Sequence, residues 1–311
     1  SRQAAIVLVM LHLLSQGDHL LISASSYGPA VAFAGEHLRR LGVDVQVYDP
    51  CIGGDIRALF KPSTRLLWME SPGSLTMEVQ DVHAMAAAAA AAGITTAIDN
   101  TWASPLYSRP LAAGVDLCVH ACTKYMGGHS DLLMGSVSTN DGALYAGLRQ
   151  LQAYMGQAAG ADDCFLVERG LDTLELRMQT QSARALELAG LLARHPMVER
   201  VLHPALPGAP DHALWQRQFS GSGAVFSFVP KVHSPAAAEA FFAGLEHIAI
   251  GASWGSVHSL AADDLAALQA ARPHCRVRGP LIRLSVGLEP PLQLQAELEQ
   301  ALDRMRRAAS A

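Results

Sequence analysis

Apolar residues in the first half of the chain fall into short runs separated by longer amphipathic stretches. The runs at residues 20–23, 43–48, 66–70, 94–99 and 117–120 are rich in Leu, Ile and Val, which predicts five strands. Between them, residues 4–14, 29–41, 55–60 and 82–92 read as helices, closed by signals such as Gln16-Gly17-Asp18 and Leu41-Gly42. Such strand–helix alternation predicts an α/β layer built on a mostly parallel sheet. A further long helix is predicted over residues 174–194. Beyond it the texture changes, because His203-Pro204-Ala205-Leu206-Pro207-Gly208-Ala209-Pro210 reads as a rigid, proline-punctuated loop. The remainder offers strands at 224–229 and 281–286 and helices at 235–245 and 292–307. A domain change is therefore expected near residues 170–200, between a first domain over 1–170 and a smaller C-terminal α+β domain over 171–311 that includes the long helix.

Composition narrows the partners. Of 311 residues, 50% are hydrophobic and 16% charged, which excludes disorder as the main state. Lys+Arg 23 against Asp+Glu 28 gives a net charge of −5, and the basic residues are scattered. The chain thus lacks the footprint of a nucleic-acid binder or a polybasic membrane patch, and small-molecule partners are favoured. The longest apolar run, residues 85–92, is nearly all alanine and too short to span a bilayer. Cys51, Cys118, Cys122, Cys164 and Cys275 are odd in number and form no CxxC pair. That argues against a disulfide framework or structural zinc and points to a reducing compartment, the cytoplasm. Ser1 leads straight into the apolar segment 6–11, so further sequence is expected to precede it.

In open α/β sheets ligands bind beyond the carboxyl ends of the strands, so polar residues just after apolar runs are the first candidates. Asp99 ends the run 94–98, where a carboxylate needs a cationic or protonated partner. A ligand nitrogen would serve, and so would an ordinary role as a helix cap or turn residue. Lys124 follows the run 117–120 within Thr123-Lys124-Tyr125-Met126-Gly127-Gly128-His129. Partial desolvation there would lower its pKa and make the amine nucleophilic; a surface lysine beside a turn is the plain alternative. A lysine imine with an acidic partner for a pyridinium nitrogen is the pair that pyridoxal phosphate chemistry needs, so the two residues together say more than either alone. No HExxH spacing or nucleophile elbow is present, no metal site is indicated, and Gly53-Gly54 and Gly127-Gly128 fit neither a dinucleotide fingerprint nor a P-loop.

Five segments carry a resemblance: Glu70-Ser71-Pro72-Gly73-Ser74-Leu75-Thr76-Met77-Glu78-Val79, Asp99-Asn100-Thr101-Trp102-Ala103, Thr123-Lys124-Tyr125, Gly128-His129-Ser130-Asp131 and Leu281-Ile282-Arg283-Leu284-Ser285-Val286-Gly287-Leu288-Glu289. With Ser253-Trp254-Gly255 and the loop at 203–208, they make the chain similar, almost end to end, to the Cys/Met-metabolism family of pyridoxal phosphate enzymes. The resemblance implies an aspartate-aminotransferase-like fold of type I and the cofactor pyridoxal 5′-phosphate, bound as an imine to Lys124. It implies that Lys124 also moves the substrate's α-proton, that Asp99 keeps the pyridine nitrogen protonated, and that Tyr27 stacks on the cofactor ring. Thr123 and the backbone N–H groups of Arg2 and Gln3 would hold the phosphate, in keeping with the affinity of helix N-termini for anions. Arg283 would grip the substrate α-carboxylate, with Ser253 and Trp254 beside it. Read without the family, Arg283 suits an internal salt bridge, and Trp254 and Tyr27 suit ordinary packing.

The likeness is strongest to members that carry out β-elimination from L-cystathionine, giving homocysteine, pyruvate and ammonia in methionine biosynthesis. The same family includes γ-eliminating and γ-replacing enzymes, methionine-cleaving and cysteine-desulfurating enzymes, and a silent binding protein on this fold is a further alternative. Members that act at the γ-carbon commonly carry Asn where this chain has Ser74, and lack the tryptophan of Ser253-Trp254-Gly255, which leans toward β-elimination. The family assembles as homotetramers, dimers of dimers with shared sites. Two departures stand out: Arg2 replaces the Gly of many relatives, and Ala121 replaces Ser. Backbone donation survives the first change, whereas the hydroxyl is absent at the second.

Overall fold

The continuous apolar runs become strands because each can be covered on both faces. The structure, a computed structural model, describes residues 1–272, 277 and 279–310; Cys275 lies outside them. Its first sheet holds β1 (His19–Ser23), β2 (Asp44–Tyr48), β3 (Thr64–Glu70), β4 (Thr95–Asp99), β5 (Leu117–Ala121) and β6 (Gly135–Ser138), in the order β2-β1-β3-β4-β5-β6. The first five strands run parallel, and β6 pairs antiparallel with β5. Side chains alternate as a period of two requires. Leu20, Ile22, Leu66 and Trp68 face one layer with Ile6, Val9 and Met10 of α1 (Arg2–Leu13). Leu21, Leu67, Met69 and Ile98 face the other layer, against Met85, Ala86 and Ala89 of the helix Val82–Ala91. That alanine-rich helix is capped by Asp81, whose carboxylate accepts from the Ala84 N–H at 3.1 Å, and it stops before Gly93 at φ 66°.

The second sheet holds β7 (Val198–Leu202), β8 (Val225–Pro230), β9 (Ala249–Ile250), β10 (Leu260–Asp263) and β11 (Ile282–Ser285), in the order β7-β8-β11-β10-β9. All its pairings are antiparallel except β9 with β10. One core joins Phe226, Phe228, Ile282 and Leu284 of this sheet to Met178, Ala185 and Leu192 of the long helix Leu174–Arg194 and to Leu298 and Leu302 of the closing helix Pro291–Ala309. Tyr125, from the turn after β5, belongs to the same core and accepts the Ala224 N–H on its hydroxyl at 2.6 Å. The turn after β5 is thereby tied to the second sheet.

Two expected helices differ in kind. The stretch expected at 29–41 starts as the α-helical Gly28–Phe33 and widens into a π turn over Ala34–Leu38. The stretch expected at 55–60 is part of a 3₁₀ segment, Pro50–Leu59, kinked at Gly53 with φ 55°. Among the described residues no helix is long and apolar enough to cross a membrane.

Candidate active site

The strand order reverses at β1, and the carboxyl ends of its neighbours open onto one cleft, where the topology of an open sheet places ligands. Tyr27 follows β1, Glu70 ends β3, Asp99 ends β4, and Lys124 lies in the turn after β5. Glu70 and Asp99 are register partners, so two carboxylates stand side by side. Asp99 Oδ1 accepts from the Thr101 N–H at 3.0 Å and from its hydroxyl at 2.5 Å. Glu70 accepts from the Tyr27 N–H at 2.6 Å and from the Ser74 hydroxyl at 2.6 Å. Burial pushes the Glu70 carboxyl up to about 7; Arg2 pulls it back and Asp99 pushes it further.

The cation between them is Arg2, the first residue of α1. Its Nε donates to Asp99 Oδ2 at 2.5 Å, and its Nη2 lies 3.1 Å from Glu70 Oε1 without the alignment of a hydrogen bond. The guanidinium carbon sits 4.0 Å from the centre of the Tyr27 ring, a cation–π contact. Burial works against its charge, but Asp99 and Glu70 outweigh burial and hold the guanidinium above its ordinary value. From the sequence Arg2 is expected to act only through its backbone N–H; its side chain turns inward to Asp99 and Glu70, which nothing in the local pattern signals.

Lys124 Nζ donates to Ser253 Oγ at 2.7 Å and lies 4.9 Å from the Trp254 ring centre. Trp254 in turn meets Tyr125 edge-on, at 5.6 Å between ring centres. Gly255, at φ 83°, lets this segment approach: a Cβ there would stand 3.2 Å from the Lys124 Cβ. Burial, then the positive charges of Arg2 and Arg283, lower the Lys124 amine to about 7, against an opposing pull from Asp99. An amine so held is a nucleophile near neutral pH.

Arg283, on β11, is buried; its Nε lies 3.1 Å from Asp264 Oδ2 and its Nη2 donates to the Ala252 carbonyl at 2.8 Å. The internal salt bridge weighed for it is thus present, at the rim of the cleft. Thr123 donates its hydroxyl to the Met134 carbonyl at 3.2 Å, and Gln3 donates its side-chain amide to the Pro29 carbonyl at 3.2 Å. At the start of α1, Ser1 Oγ accepts from the Ala4 N–H at 3.2 Å, while the N–H groups of Arg2 and Gln3 have no intrahelical acceptor. The cleft measures about 480 Å³, and Arg2, Gln3, Tyr27, Thr123, Lys124, Ser253, Trp254 and Arg283 all line it. Asp99 does not line it and lies behind Arg2. Glu70 was open to the rule that singled out Asp99, since it too ends an apolar run. Asp264 carried no such signal.

The model of the family described as Cys/Met metabolism PLP-dependent enzyme matches residues 1–303. The chain belongs to that family. Among relatives, it is 42% identical over 304 residues to a cystathionine β-lyase of Bordetella avium, covering 97% of this chain and 76% of that protein. It is 38% identical over 309 residues to cystathionine β-lyase MetC of Escherichia coli K12, covering 97% of this chain and 78% of the relative. Among solved structures, a cystathionine γ-synthase of Xanthomonas oryzae pv. oryzae, in complex with aminoacrylate and cysteine, superposes with a TM-score of 0.94. It is 32% identical, covering 99% of this chain and 81% of its own. Members of the family depend on pyridoxal 5′-phosphate, and this chain shares their type I fold.

Proposed function

We propose that this chain is a carbon–sulfur lyase that converts L-cystathionine and water to homocysteine, pyruvate and ammonia, acting in the cytoplasm as a homotetramer. The observation that carries the reading is the place of Lys124 on one cleft with Arg2, Tyr27 and Arg283, its amine 2.7 Å from Ser253 Oγ and, through burial, lowered to about 7. The donor set suits pyridoxal 5′-phosphate. Lys124 would hold its aldehyde carbon, Asp99 its ring nitrogen, Tyr27 its face, and Thr123 with the Arg2 and Gln3 amides its phosphate. When bound, that group supplies an electron sink for charge developing at the substrate α-carbon.

The protein's share is orientation and proton transfer. Arg283 would take the substrate α-carboxylate, leaving Asp264, and Ser253 and Trp254 would wall the same end of the cleft. With an amine near neutral, Lys124 can accept the α-proton and return it elsewhere at physiological pH. Loss of the thiolate from the β-carbon then breaks one carbon–sulfur bond of cystathionine. Ser74, which is committed to Glu70 at 2.6 Å, is the position at which a γ-acting enzyme commonly carries Asn. The test is product analysis with purified protein, pyridoxal 5′-phosphate and L-cystathionine. Pyruvate with homocysteine is expected; 2-oxobutanoate with cysteine would make it a γ-lyase, and cofactor uptake without either keto acid would make it a silent binding protein.

A further inference from the structure

We propose that the Arg2 side chain is a built-in occupant of the cofactor-ring slot, seated between Tyr27 and Asp99, and that pyridoxal 5′-phosphate enters only as this guanidinium swings out. The proposal rests on the reading of Asp99, Tyr27 and Lys124 as cofactor-binding residues.

Three observations carry it. A planar guanidinium already lies on the Tyr27 ring, its carbon 4.0 Å from the ring centre. A pyridine ring stacked on that face would need the same space. Next, Thr101 engages Asp99 Oδ1 twice, so Oδ2 is the oxygen left for a ligand N–H, and Arg2 Nε holds it at 2.5 Å. Asp99 is consequently screened from the cleft that Arg2, Tyr27 and Lys124 line. Finally, the seat is imperfect, because Arg2 Nη2 is buried beside Glu70 with no aligned acceptor. A structural arginine such as Arg177 differs: its Nη1 donates to the Tyr125 carbonyl at 2.7 Å and its Nη2 to the Gly170 carbonyl at 2.6 Å.

The motion needs only side-chain rotation. The backbone at Ser1 and Arg2 is pressed against β6, where a Cβ on Gly135 would fall 2.5 Å from the Ser1 carbonyl oxygen and 2.9 Å from the Arg2 Cα. Arginine stays charged at any working pH, so the slot opens by competition and not by deprotonation. The cost of emptying it appears as weaker and slower cofactor uptake, since only the open fraction binds.

The experiment loads cofactor-free wild type, Arg2→Ala and Arg2→Gln with pyridoxal 5′-phosphate. Uptake is followed by the visible absorbance of the imine, and borohydride reduction with peptide mapping locates the attachment. The expected result is attachment at Lys124 in all three proteins, with the apparent Kd of Arg2→Ala lower by about tenfold or more and faster association, the scale of one charge-assisted contact. Arg2→Gln retains length without charge and should fall between the two, which separates the guanidinium's grip from any change in helix start. Equal or weaker binding by both variants, with attachment at Lys124 intact, would overturn the Arg2 proposal and leave the functional reading standing. Failure of all three folded proteins to take up the cofactor at Lys124 would overturn both.

Discussion

Burial of the Lys124 amine sets a titration that can be measured directly. Lys61, Lys124 and Lys231 are the only lysines in the sequence, so three peptides report on all of them. With the Lys124 value lowered from 10.5 to about 7, half of its amines are free at pH 7. An unperturbed lysine would be free in only about 0.03% of molecules at that pH, so the environment raises the reactive form about a thousandfold. The assay is a brief pulse of formaldehyde with cyanoborohydride across pH 5.5–11 on the cofactor-free protein, with each lysine's methylation read by mass spectrometry. Limited access to a half-buried amine lowers the rate at every pH without moving the midpoint. A Lys124 midpoint near 7, far below the ordinary lysine value of about 10.4, is expected. Arg2→Ala should move it upward but only part of the way, because burial is the larger cause and Arg2 the second. A Lys124 midpoint at the ordinary lysine value of about 10.4 would overturn this account, since the amine would then be solvated. The same shift fixes a sign for stability. Between about pH 7 and 10.5 the unfolded chain keeps a proton that native Lys124 has lost, so this residue makes stability rise with pH over that window. Lys124→Met should remove that rise in denaturant titrations at pH 7 and 9.5.

Two further outcomes follow from individual contacts. Tyr125→Phe removes the hydroxyl that accepts the buried Ala224 N–H at 2.6 Å, leaving that N–H unpaired; urea unfolding should show a loss of about 1–3 kcal/mol, and no loss would mean the tie between the two sheets does not matter. Arg283→Lys keeps the charge but loses the planar fork for a carboxylate. It should lower kcat/KM for L-cystathionine by about ten- to a hundredfold, chiefly through KM, and an unchanged KM would reduce Arg283 to its salt bridge with Asp264.

The strands at the centre of the first sheet are legible because each is a continuous apolar run stopped by turn residues. β6, by contrast, is Gly135-Ser136-Val137-Ser138, whose pairing depends on β5 and not on its own pattern. The helices Gly142–Tyr154 and Ala161–Leu171 are faint in the sequence for a related reason. The first buries fully only Leu148, with Leu144 and Leu151 half-buried beside it, and the second only Val167 and Gly170, so each offers a narrow stripe and no broad apolar face. The long helix Leu174–Arg194, with nine buried positions, matches its expected bounds. In the site, Lys124 and Asp99 stand out locally because a charge directly after an apolar run is costly without a partner. The partners themselves come from residues far off in sequence: Asp264 for Arg283, Ser253 for Lys124, Arg2 for Asp99.

That long-range partnering also explains why the acidic strand ends hold a cation when Lys124 gives up its proton. Parallel pairing of β3 with β4 brings Glu70 beside Asp99, and two buried carboxylates side by side call for a counter-charge. Lys124 is a poor source of that charge, since desolvation and two arginines drive its proton off. A guanidinium does not yield its proton under such conditions, so Arg2 is the group able to neutralise the pair, and its short contact to Asp99 with a misaligned one to Glu70 shows how the single charge is divided. A ligand that brings its own N–H to Asp99 removes the need for Arg2 there. Glu70, already pushed to about 7, is the carboxyl able to take up a proton once the cation leaves. A lowered amine at Lys124 and a guanidinium at Arg2 that keeps its charge therefore let a neutral amine and an exchangeable cation share one cleft.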